Sequence, residues 1–130
     1  MKFEILSDPK NLKTVRSNIK EAISNFNFKG VDEFNIILSV DEAVQNIIRY
    51  AYSLDKTKKI LFDIKLQEKD LIIKIRDFGK QVDLSVIKSR DLDDVKPGGL
   101  GVHFIKSICK RVDYKHIMDE FGGTELTLVF

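Results

Sequence analysis

A chain of 130 residues, 43% hydrophobic and 32% charged, is long enough to bury one sizeable core and too apolar to stay disordered. A formal charge of +2 argues against a nucleic-acid-binding surface, and no Lys/Arg cluster is dense enough to reverse that. No run approaches a membrane span, Met1-Lys2-Phe3-Glu4 does not open a signal peptide, and the lone Cys109 rules out an internal disulfide, so a reducing, cytoplasmic setting is expected.

Phe3 and Ile5 alternate with polar neighbours, as a short edge strand does. Asp8-Pro9 then reads as a helix start, Asp at the N-cap and Pro in the first turn. Leu12, Val15, Ile19, Ala22, Ile23 and Phe26 recur at helical spacing, predicting a helix to about Asn25. Its outer face, with Lys13, Arg16, Asn18, Lys20 and Glu21, is either an ordinary solvated face or a docking surface.

Gly30 breaks the chain before a second helix, read over Leu38 to Tyr52, with Phe34, Ile37, Leu38, Val44, Ile47, Ile48 and Ala51 as its buried stripe. Glu42 and Asn46, four residues apart, stack one turn above the other beside that stripe. They form either a solvated edge or an acid and an amide able to hold a proton acceptor and a metal ion at a cleft floor.

After the polar stretch Ser53 to Lys58, Ile60, Phe62, Ile64 and Leu66 alternate as a strand. Glu68-Lys69-Asp70 turns into a second strand, Leu71 to Arg76, so apolar that burial on both faces of a central position is expected. It ends in Asp77-Phe78-Gly79, a turn or a carboxylate placed to accept a hydrogen bond from a base amino group. Lys80 to Lys96 is polar and poorly patterned, as a functional lid or mobile loop is.

Pro97-Gly98-Gly99-Leu100-Gly101 leads into a helix carrying Val102, Ile105, Ile108, Cys109 and Val112. Glycines at a helix start let backbone N–H groups approach an anion; a plain loop-to-helix junction is the alternative. Cys109 reads as a small core residue, and His103 as a surface residue within reach of a phosphate. His103 and His116 lack zinc-ligand spacing with each other or with Cys109. Tyr114 to Met118 is a predicted strand, and Phe121-Gly122-Gly123 turns into the last one, Thr124 to Phe130. The predicted order is β-α-α-β-β-lid-α-β-β, an α/β (α+β) two-layer sandwich in which helices cover one face of a mixed, mostly antiparallel sheet.

Glu-x-x-x-Asn on a helix, Asp-x-Gly after a central strand, a lid, Gly-Gly-Leu-Gly opening a helix and Gly-Thr at a hairpin together resemble the Bergerat-fold ATP-binding domain. The run Val40 to Arg49 and the small size are similar, within that superfamily, to the anti-sigma-factor serine/threonine kinases of bacterial partner switching. The resemblance covers essentially the whole chain, residues 1–130, as one domain.

It implies ATP and Mg²⁺ as cofactors, with Asn46 the metal ligand and Glu42 the general base. It further implies that Asp77 reads adenine, Gly79 leaves room for the base and Thr124 assists, while Gly99, Leu100 and Gly101 cradle phosphates and Lys96 meets the γ-phosphate. The implied partners are a STAS-type anti-anti-sigma protein, phosphorylated on serine or threonine, and a sequestered sigma factor or other regulator contacted by Arg16; a homodimer is implied, and no nucleic acid or membrane. Two departures stand out: Gln81 replaces the second glycine of Asp-x-Gly-x-Gly, and Tyr50 stands where many relatives carry histidine. The alternative from the Gln81 departure is a non-catalytic switch that sequesters a partner with or without nucleotide.

Overall fold

A computed structural model describes residues 1–81 and 101–130. Strand β1 (Lys2–Leu6) is followed by a 3-10 turn (Pro9–Asn11) and helix α1 (Leu12–Phe26). Asp8 caps the turn by accepting a 3.0 Å hydrogen bond from Lys10 N at Oδ1, and Asn27, at φ 53°, ends α1 in the left-handed region. Helix α2 (Glu33–Asn46) runs into a π-helical turn (Ile47–Ala51). The hairpin β2 (Lys59–Gln67) and β3 (Asp70–Asp77) follows, and after the undescribed residues come α3 (Gly101–Ile108), β4 (Arg111–His116) and β5 (Thr124–Val129).

The five strands form one sheet in the order β1-β2-β3-β5-β4, and all four pairings are antiparallel. Apart from the predicted lid, which lies outside the described residues, the element order and the α+β architecture hold. Helix α3 ends at Ile108, so Val112 belongs to β4 rather than to the helix, and the sheet is more uniform than the mixed one expected. Alternation decides which face the helices cover. Ile60, Phe62 and Ile64 of β2, Leu71, Ile73 and Ile75 of β3, and Leu126 and Leu128 of β5 are buried with Val15, Ile19, Ile36, Val40 and Val44 of the helices in one continuous core.

The other face sets opposite charges side by side. Lys2 is opposite Asp63 and Asp63 opposite Lys74, while Arg76 is opposite Glu125 and Glu125 opposite Lys115. Such cross-strand pairs each contribute roughly 0.2–1 kcal/mol.

That open face corrects two expectations. β3 is central, yet its alternate residues Ile72, Lys74 and Arg76 are only half-buried, because no described helix covers the second face there. The stripe of α2 departs only at its start: Phe34 is 67% exposed and Ile37 and Leu38 are half-buried while Ile36, Val40 and Ala43 are buried, whereas Val44, Ile47, Ile48 and Ala51 are buried as expected. Cys109 packs beside the core as expected, and burial pushes its thiol up to about 12, away from nucleophilic use at neutral pH.

A candidate nucleotide site

Asn46 closes the regular part of α2, and the π-helical turn after it changes where the backbone groups point. Single π turns are frequent at functional sites because they re-aim a few residues without ending the helix. Here Tyr52 N donates to Ile47 O at 3.0 Å and Leu54 N to Ile48 O at 2.8 Å, while Ala51 O accepts from Lys80 N at 2.8 Å. The helix end thus holds the loop that follows β3.

Tyr52 strengthens that hold. Its buried phenol donates to Lys59 O at 2.5 Å and accepts from Phe78 N at 2.7 Å. Gly79 fits the same junction, since a Cβ there would collide with the Ala51 carbonyl and the Tyr52 ring. Close approach to the helix end therefore suffices to require glycine at this position.

Asp77 ends β3 with only 4% of its surface exposed. Its Oδ1 accepts from Gly79 N at 3.0 Å. Burial raises its pKa above the usual Asp value; the bond from Gly79 N and the charge of Arg76 oppose that rise. Across the sheet Asp77 is opposite Thr124, and Thr124 is opposite His116. Gly123, at φ 81°, passes so close to Asp77 that a Cβ would meet the Asp77 carbonyl.

Between this row and the end of α2 lies a cleft of about 510 Å³, counting space open to solvent. Asn46, Tyr50 and Ala51 line it from the helix side, and Asp77, Tyr114, His116 and Thr124 from the sheet, with Lys80 at its loop. A largely apolar slot with a buried carboxylate, Asp77, and the Thr124 hydroxyl opposite it on the sheet suits a flat ligand that offers an amino donor. On the helix side, the Oδ1 atom of Asn46 is buried and has no hydrogen-bond partner among the described residues. A buried amide oxygen left in that state calls for a ligand of its own.

Of the residues named from sequence, Asn46, Asp77 and Thr124 meet at this cleft, Gly79 lies on its loop, and Glu42 stands half-buried one turn before Asn46. Gly101 is the first residue of α3. Lys96, Gly99 and Leu100, and the predicted lid beyond Gln81, lie outside the described residues. Arg16 is not at the cleft lining; its guanidinium pairs with Asp41 of α2.

Sequence reasoning missed Tyr50, Tyr114 and His116 as lining residues and Tyr52 as a clamp. His116 and Tyr114 alternate on β4, a signal that becomes readable only once β4 is paired with β5.

The profile of the family described as histidine kinase-like ATPase domain matches residues 5–130. The serine/threonine-protein kinase BtrW of Bordetella bronchiseptica is 28% identical over 99 residues, covering 73% of this chain and 68% of that protein. The crystal structure of the SiaB-SiaC complex from Pseudomonas aeruginosa superposes with a TM-score of 0.72 at 13% identity, over 100% of this chain and 88% of that one. The structure of the RsbU and RsbW domains of a Mycobacterium tuberculosis protein superposes with a TM-score of 0.62 at 16% identity, over 99% of this chain and only 32% of that longer one. Those two likenesses are likenesses of fold. The fold, the cleft and a match over nearly the whole length agree with the Bergerat-type reading of the sequence, and the chain belongs to the histidine kinase-like ATPase domain family.

Proposed function

We propose that the chain is an ATP- and Mg²⁺-dependent serine/threonine protein kinase that works as an anti-sigma factor in a bacterial partner-switching system. The observation that carries this reading is the cleft with Asp77 and Thr124 on one side and the unsatisfied Asn46 oxygen on the other. Family membership supports ATP as the ligand, and the likeness to a serine/threonine-protein kinase supports the reaction class.

In this reading Asp77 accepts the adenine amino group, and Thr124 offers its hydroxyl to the same base edge. Gly79 keeps the loop close enough for that edge to be reached. Asn46 would hold Mg²⁺ through Oδ1: an amide oxygen is a hard ligand, and Mg²⁺ is bound by few protein groups together with water and substrate phosphates. When bound, the ion neutralises charge on the phosphate oxygens. Glu42, one helical turn away, takes the proton of the attacking serine or threonine hydroxyl of a STAS-type partner. Gly99, Leu100, Gly101 and Lys96 are assigned to the phosphates, and Arg16 to the contact with a sigma factor or equivalent regulator. The protein acts as one domain over residues 1–130, as a homodimer, in the cytoplasm. No described helix is long and apolar enough to cross a membrane.

The test is transfer of phosphate from Mg-ATP to a STAS-type protein, followed by mass spectrometry of the partner. Phosphoserine or phosphothreonine is expected with the wild type, and Glu42→Gln is expected to slow transfer by about 10²–10⁴-fold. Equal rates for the two proteins would remove Glu42 from the mechanism. ATP binding without any transfer would favour the sequestering, non-catalytic switch.

A further inference from the structure

Gln81 departs from the family's glycine, and the structure gives the departure a job. Its side-chain nitrogen Nε2 lies 3.0 Å from the carbonyl oxygen of Ile117 and 3.1 Å from that of Gly123. A primary amide carries two N–H donors, so one group serves both carbonyls. The same two residues close the β4–β5 hairpin, Ile117 N donating to Gly123 O at 3.0 Å. Gln81 therefore grips the hairpin at its base, beside His116 and Thr124.

The sheet ladder holds Asp77 opposite Thr124 but stops there, so Phe78 to Gln81 need other anchors. On the helix side those anchors are Tyr52 Oη to Phe78 N and Ala51 O to Lys80 N. On the hairpin side the Gln81 amide supplies the tie. Lys80, which lines the cleft, is suspended between the two sets. Glycine at position 81 would leave the hairpin side of the loop without this donor.

We propose that Gln81 is a positioning residue for the nucleotide: its amide ties the loop carrying Lys80 to the hairpin carrying Thr124 and so fixes the mouth of the cleft. This rests on the nucleotide reading above. Gln81 is a surface residue, so its replacement should weaken binding far more than it weakens the fold.

Mg-ATP titrated calorimetrically into the wild type, Gln81→Gly and Gln81→Glu tests this. Gln81→Gly restores the family residue; Gln81→Glu keeps the length but sets a carboxylate against two carbonyl oxygens. Both variants are expected to bind about tenfold more weakly at neutral pH, the effect of losing one or two hydrogen bonds. The deficit of Gln81→Glu relative to wild type should shrink as pH is lowered into the ordinary glutamate range, where the protonated acid regains a donor. Gln81→Gly binding as tightly as wild type, or a Gln81→Glu deficit independent of pH, would overturn the inference alone. Absence of binding by the wild type would overturn the nucleotide reading, and the inference with it.

Discussion

Arg16 of α1 holds Asp41 of α2 through a single carboxylate oxygen: Nε lies 2.9 Å and Nη2 2.8 Å from Asp41 Oδ2. The two side chains differ in setting, Arg16 being 43% exposed and Asp41 only 11%. The pair thus bridges the helix assigned to partner docking and the helix carrying Glu42 and Asn46.

Removing the cation leaves a nearly buried carboxylate without its main partner. Arg16→Ala is expected to lower stability by about 1–3 kcal/mol, and Arg16→Lys to recover part of that because a point charge cannot reproduce both contacts. Urea unfolding of the three proteins checks it. Partner-binding assays on Arg16 are then best read from the lysine variant, which keeps a charge on Asp41.

Tyr52 joins α2, β2 and the Asp77 loop through one oxygen. Tyr52→Phe keeps the buried ring and removes only that oxygen, leaving Lys59 O and Phe78 N to find other partners. A loss of about 1–2 kcal/mol in urea unfolding is expected, with weaker Mg-ATP binding in the same preparation.

The two glycines of the last hairpin should behave differently. At Gly123 an added methyl group meets the Asp77 carbonyl in a left-handed backbone, so Gly123→Ala is expected to cost about 2–4 kcal/mol. Gly122, at φ 62°, faces open space, and Gly122→Ala should cost about 1 kcal/mol from backbone preference alone. Thermal unfolding of the pair separates collision from strain.

Asp77 carries a raised pKa because it is buried, so the fold binds its proton more readily than the unfolded chain does. Its contribution therefore favours folding at low pH and falls as pH rises from the ordinary Asp value of 3.8 to the raised value in the fold. Above that window the ionised carboxylate is a net cost. Asp77→Asn should accordingly match or exceed wild-type stability at neutral pH, lose that advantage below the window, and bind Mg-ATP poorly. Thermal melts across the acid range, with calorimetry at neutral pH, check both halves.

The order of elements, the sandwich architecture and the Asn46, Asp77 and Thr124 members of the cleft were all legible in the sequence. The elements rest on local chemistry, apolar periods of 3.6 or 2 and glycine at breaks, whereas the three cleft residues were singled out by an order of motifs that resembles the family, each motif alone also reading as a solvated edge or a turn. The later part of the α2 stripe was legible and its first turns were not, since Phe34 and Ile36 are equally apolar and only the position of the sheet decides which one is buried. Nor was the difference between the two faces of β3, because Ile72 and Ile73 read alike until the described helices bury the face of Ile73. The row Asp77, Thr124 and His116 comes from pairing β3 with β5 and β5 with β4, and register between strands far apart in the chain is set by the packed sheet. The same holds for Arg16 on Asp41 and for Gln81 on the hairpin: the sequence determined which donors and acceptors exist, and the tertiary fold decided which of them meet.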